Sequence, residues 1–173
     1  RPREAIPCYD RAIAIDPAHA DARFERGLAN LALGDYAQGW ADYEARLETK
    51  THRPRELSGQ RWRGQDLRGK TLFVYVEQGL GDSIQFARFA PRLAQLGARV
   101  TLECHPLLFR LFQSLPGVEA LIRYGDTPPP HEFYCSLLSL PFELGLNTQA
   151  ECSTDIPYFR APSDAGPKLA PVI

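Results

Sequence analysis

The 173-residue sequence has no methionine, two tryptophans and four cysteines. It has no run near the ~18 apolar residues that a membrane-crossing helix needs, so no membrane span is expected. It also lacks a charged start followed by an apolar core, the mark of a secretory signal. With no initiator methionine and a start inside what reads as a helix, the chain is expected to be a piece of a longer protein. Cys8, Cys104, Cys135 and Cys152 form no C-x-x-C pair, which argues against a zinc site. Cys104-His105 and His131 with Cys135 are the nearest Cys/His neighbours. Free thiols suit a reducing compartment, so the expectation is a cytoplasmic protein without a metal. Neither sign of charge dominates, and a net charge of -1 gives no footprint of nucleic-acid binding.

What is present begins with a repeat over residues 1–50. Ala5, Tyr9, Ala12 and Pro17 have the offsets of a repeat's second helix and closing proline. Gly27 falls where two helices touch closely, and Gly34-Asp35-Tyr36 at a helix–helix turn. A shift of about 34 residues takes Ala5 to Gly39 and Tyr9 to Tyr43, although Ala12 becomes Arg46. Pro7 is awkward inside a helix. These positions resemble the tetratricopeptide repeat family. The resemblance implies a solenoid end that docks a peptide or protein partner, or one that caps the following domain.

Residues 51–70 read as a basic linker. From Arg46 to Lys70 there are eight positive and three negative charges. Such a segment could attract a phosphorylated ligand, but Trp62 stands alone, without the aromatic interleaving of a single-strand binder. The expectation is a solvated linker pinned by Trp62.

Residues 71–160 alternate between two periods. Leu72 to Val76 is a buried strand, followed by Glu77-Gln78-Gly79-Leu80-Gly81-Asp82. Phe86, Phe89, Ala90, Leu93 and Leu96 share one helix face, with a break at Pro91 and an end at Gly97. Arg99 to Glu103 is a second strand, Leu107 to Leu115 a helix and Val118 to Arg123 a third strand. Phe133 to Cys135 is a short fourth strand, and a short helix lies around Leu140 to Leu144. This order predicts an α/β fold: a Rossmann-like parallel sheet with helices on both faces, preceded by the α-helical repeat.

The turn Gly79-Leu80-Gly81 starts like a dinucleotide fingerprint, and Glu103 ends the next strand where a ribose-binding acid would stand. Ile84 replaces the third glycine. Asp82 would also set a carboxylate against the pyrophosphate, a repulsion of roughly 1–4 kcal/mol. No cofactor is therefore expected. Asp82 is left with two readings: an N-cap, worth about 0.5–2 kcal/mol, or a general base at a helix start. Gln85, one turn on, could orient Asp82 or a substrate.

Residues 69–89 resemble bacterial tetratricopeptide-linked, heptosyltransferase-like proteins of the GT-B fold, glycosyltransferase family 9. Their first strand leads into a glycine-aspartate turn, matched here by Gly81-Asp82. Gly97-Ala98-Arg99-Val100, Leu115-Pro116-Gly117-Val118, Ser139-Leu140-Pro141 and Ile156-Pro157-Tyr158 fit as well. The resemblance implies an inverting, metal-independent transferase with Asp82 as catalytic base and Gln78, Gly79, Gly81 and Gln85 at the substrate. It also implies a nucleotide-sugar donor held mainly by a second domain, to which residues 161–173 would lead, so the chain by itself is expected to be inactive. The acceptor would be a glycan or a protein. The alternative is a non-catalytic interaction scaffold.

Overall fold

A computed structural model describes residues 1–153 and 156–160. The expected linker 161–173 lies outside the described residues. The chain divides into two compact units. The first holds residues 1–57 with 141–153, and the second holds residues 58–140 with the described residues 156–160.

In the first unit, α1 (Pro2–Ile15), α2 (Ala20–Leu33) and α3 (Tyr36–Tyr43) are followed by a 3-10 turn, Glu44–Glu48. Helix α1 runs through Pro7 without a break. Gly34 closes α2 at φ 85°, a left-handed conformation that favours glycine. Asp35 then caps α3 by accepting from the Gln38 amide. Gly27 is the close contact the repeat spacing predicts, since an added Cβ would lie 2.7 Å from the Tyr43 amide nitrogen.

One ion-pair cluster ties the three helices together. Arg26 donates twice to Asp42, at 2.7 and 3.0 Å, and once to Asp10 at 2.8 Å. The hydrogen bond to Asp42 raises the guanidinium's pKa further. Asp42 is buried, so truncating Arg26 would leave a buried charge without its partner. Arg46, where a repeat expects a small residue, is buried against Glu44 and over the Tyr43 ring.

The second unit is a five-stranded, all-parallel sheet of β1 (Gln60–Arg61), β2 (Thr71–Tyr75), β3 (Arg99–Cys104), β4 (Val118–Arg123) and β5 (Phe133–Ser136). The spatial order is β1-β5-β2-β3-β4. An α/β, Rossmann-like sheet therefore follows a tetratricopeptide-like helical region. Strand β2 is central and buried on both faces, with Leu72, Phe73 and Val74 at most 1% exposed.

The β2–β3 connection carries α4 (Leu80–Ala87) and α5 (Ala90–Gln95), split ahead of Pro91 as its lost amide requires. Phe86, Phe89, Ala90 and Leu93 are buried, whereas Leu96 is 46% exposed because the helix has ended at that residue. The expected helix 107–115 is shorter. A 3-10 turn, Pro106–Leu108, precedes the single turn of α6 (Phe109–Phe112). Beyond β5 come a 3-10 turn, Leu137–Ser139, then α7 (Leu140–Glu143) and α8 (Gln149–Cys152), whose Thr148 and Glu151 form a capping box.

Part of the expected linker belongs to the sheet. Gln60 pairs with Phe133 and Arg61 with Tyr134, and Trp62 and Leu67 are buried. Several of the basic side chains are already engaged. Arg68 pairs with Asp66 at 2.7 Å, holding that carboxyl down at about 2, and Lys70 pairs with Glu132 at 2.7 Å. Among the described residues no helix is long and apolar enough to cross a membrane.

The Gly27 contact gives a direct check on the helical unit. Gly27→Ala is expected to destabilise it by about 1–3 kcal/mol through overpacking against the Tyr43 backbone. Chemical denaturation followed by far-ultraviolet circular dichroism measures the loss.

Candidate functional site

The chain passes from β2 through β3 to β4 at one edge, then returns to place β5 on the other side of β2. The strand order thus reverses between β2 and β5. In open α/β sheets, the crevice beyond the carboxyl ends of the strands at such a reversal is where ligands bind. Here that place is built by the turn Glu77–Gly79 leading into α4, and by the turn Leu137–Ser139, which lies against α4. Two hydrogen bonds fix the start of α4. The Ser83 amide donates to the Gly79 carbonyl at 3.1 Å, and the Ser83 hydroxyl donates to the same oxygen at 3.0 Å.

The structure corrects the N-cap reading of this turn. Asp82 is not the cap. The helix starts three residues earlier than that cap would require, with Gly79 at the N-cap and no side-chain cap bond, so Asp82 stands third in the first turn. Its half-buried carboxylate makes no hydrogen bond or ion pair among the described residues. The glycines are not there to permit a turn that other residues cannot make. Neither Gly79 nor Gly81 has a positive φ, and a Cβ added at either would meet nothing within 4 Å. The turn therefore exposes bare backbone, at Gly79 and Gly81, that its own packing does not require.

Gln78 and Gln85 are both exposed. Gln85 lies one turn beyond Asp82 on the same helix, three residues on, where side chains are neighbours. Gln78, Gly79, Gly81, Asp82 and Gln85 thus share a single strand–turn–helix unit.

Glu103 has no access to a ribose. It is fully buried, and its Oε2 accepts from the Val76 amide at 3.1 Å. This removes a second element of the dinucleotide fingerprint, alongside Ile84. Cys104, the next residue, is buried as well, and burial pushes its thiol up to about 11. That thiol is a core side chain rather than a nucleophile. Among the described residues no group of three or more His, Cys, Asp or Glu side chains is placed to hold a metal ion.

Two contacts that sequence reasoning missed tie residues 158 and 159 to α4 and α6. The Tyr158 hydroxyl donates to the Ile84 carbonyl at 3.2 Å, and Phe159 stacks on Phe112 with ring centres 5.2 Å apart. The apolar and aromatic character of Ile156-Pro157-Tyr158-Phe159 was the available signal.

Comparison with known proteins finds one family model and one relative. The family model described as TPR repeat matches residues 3–34. Protein FlbA of Caulobacter vibrioides is 44% identical over 75 residues, which is 42% of this chain. The chain spans 13% of that relative's length. No solved structure matches the chain.

The glycines give a test that separates folding from function. Gly81→Ala, inside α4 and in open space, is expected to raise stability by about 0.5–1 kcal/mol through helix propensity and the unfolded state. Thermal and urea denaturation check this. A loss of stability would mean that the fold itself needs the glycine.

Proposed function

We propose that the α/β unit is the acceptor-side half of an inverting, nucleotide-sugar-dependent glycosyltransferase of the heptosyltransferase-like kind. One observation carries the proposal: the Asp82 carboxylate sits at the β2–α4 turn, engaged by no described side chain or backbone group. A cap would be hydrogen-bonded to its own helix; a base must be open to a substrate. The resemblance of residues 69–89 to the transferase family supplies the chemistry. The two glycines beside Asp82 supply room for a substrate to approach the backbone.

In this reading Asp82 accepts the proton of an acceptor hydroxyl as that oxygen attacks the anomeric carbon. The new carbon–oxygen bond forms opposite the breaking bond to the nucleoside diphosphate, which leaves with its electron pair, and the anomeric configuration inverts. Gln85 and Gln78 orient the acceptor, and the backbone at Gly79 and Gly81 lines its place. The donor is held by a second domain of the longer protein. A phosphate group beside the Asp82 carboxylate would be repelled, so the donor's diphosphate belongs on the opposite wall.

The helical region has its own part. A tetratricopeptide repeat supports docking of a protein, and here it would present a protein acceptor or a regulatory partner to the transferase. The same observation favours a second reading, a scaffold without catalysis. Calorimetry of the full-length protein against UDP-, GDP-, ADP- and CMP-linked sugars distinguishes them. Saturable heat with one donor is expected, and none with any donor is the scaffold's outcome.

Asp82→Asn in the full-length protein is the test of the base. The shape of the side chain is kept, so folding should be unchanged, and turnover is expected to fall by about 10²–10⁴-fold. Release of nucleoside diphosphate measures it. Turnover near the wild-type rate would remove Asp82 from the chemistry.

A further inference from the structure

The carboxyl end of β2 contains a departure from the regular sheet. In a parallel ladder, alternate residues of a strand face the same neighbour. The Arg99 amide donates to the Lys70 carbonyl where the β2–β3 pair begins, so the even-numbered residues of β2 face β3. Two residues at a time, that register brings the Val76 amide to the carbonyl of Glu103. The paired residues end, however, at Val74 with Leu102. The Val76 amide donates instead to Oε2 of the Glu103 side chain. The residue whose backbone would extend the ladder ends it with its own carboxylate.

This substitution has a geometric consequence. A side-chain oxygen accepts the amide in place of the main chain, so β2 leaves β3 at this point while its last buried amide remains satisfied. Val76 is 3% exposed and Glu103 0%, so water does not provide the acceptor in their place. The chain that departs here is Glu77-Gln78-Gly79, which enters α4 and carries Asp82. On the other side β2 stays paired with β5 to Tyr75 and Ser136. The turn is thus anchored by the sheet on one side and by one carboxylate on the other.

We infer that Glu103 is a positioning residue, setting the path of the Glu77–Asp82 turn through its hydrogen bond to Val76. The inference rests on the proposal that Asp82 is the base, because only then does the path of the turn govern turnover. Glu103 itself touches no substrate. Its requirement is for an acceptor oxygen at that place, which glutamine provides and leucine does not.

The experiment uses the full-length protein, wild type and with Glu103→Gln and Glu103→Leu. Amide hydrogen exchange is read residue by residue, alongside turnover. In the wild type, the Val76 amide is expected to exchange at least about 100-fold more slowly than those of Gln78 and Gly79. Leucine should speed exchange at Val76 by about tenfold or more and lower kcat by about tenfold, with the KM for the donor changed less than about twofold. Glutamine should restore both to within about threefold of wild type. Rapid exchange at Val76 in the wild type, no change with leucine, or glutamine behaving like leucine would each overturn the inference. Should Glu103→Leu fail to fold, the wild-type rate and the glutamine variant decide. Should wild-type protein turn over no nucleotide-sugar, the transferase proposal falls, and with it the role of Glu103 in turnover, while the exchange rates still judge its hold on the turn.

Discussion

A central strand has to end inside the protein, and where it ends its buried amides still need acceptors. That constraint shapes the α/β unit. Strand β2 lies between β5 and β3 with its middle residues shielded from water. Its neighbours satisfy it up to Tyr75 on one side and Val74 on the other. The last interior amide, at Val76, goes to Glu103. From there the chain turns over two glycines into α4, whose start is closed by Ser83 bonding back to Gly79. The Asp82 side chain stands in the first turn of that helix, half-buried and with no partner among the described residues.

Much of this fold can be read in the residues. The apolar, β-branched runs at Leu72–Val76 and Arg99–Glu103 mark strands. The break at Pro91 follows from proline's missing amide. The repeat offsets at Gly27, Gly34 and Tyr43 mark helix contacts and a turn. Gln60–Arg61 gave no such signal. These two polar residues form a strand only because Phe133 and Tyr134 lie beside them, and pairing between distant segments leaves no local pattern. The helix 107–115 was overestimated for a related reason: Pro106 opens a 3-10 turn that absorbs the first residues.

The candidate site is legible in the sequence as a turn, but its details are not. Strand, glycine turn and acidic residue identify it in the sequence. The residue type at Asp82 fits an N-cap as well as a general base, yet the cap is Gly79, acting through its backbone carbonyl. A glycine cap has no side chain to announce it. Glu103 has the spacing of a ribose-binding acid, after a turn where Ile84 and Asp82 already argue against a dinucleotide. Its true surroundings depend on the register of β2 against β3, which places its carboxylate inside the sheet edge rather than in the crevice. Both corrections point the same way. They add to the case against a dinucleotide and leave the Asp82 carboxylate in the first turn of α4 without a described partner.

The central claim is that this carboxylate meets an acceptor hydroxyl. The most direct measurement is a crystal structure of the full-length protein with a nucleoside diphosphate and an acceptor bound together. The account predicts an acceptor oxygen about 2.6–3.2 Å from an Asp82 carboxylate oxygen, with the diphosphate on the opposing domain. An acceptor bound elsewhere, with Asp82 facing only solvent, would contradict it.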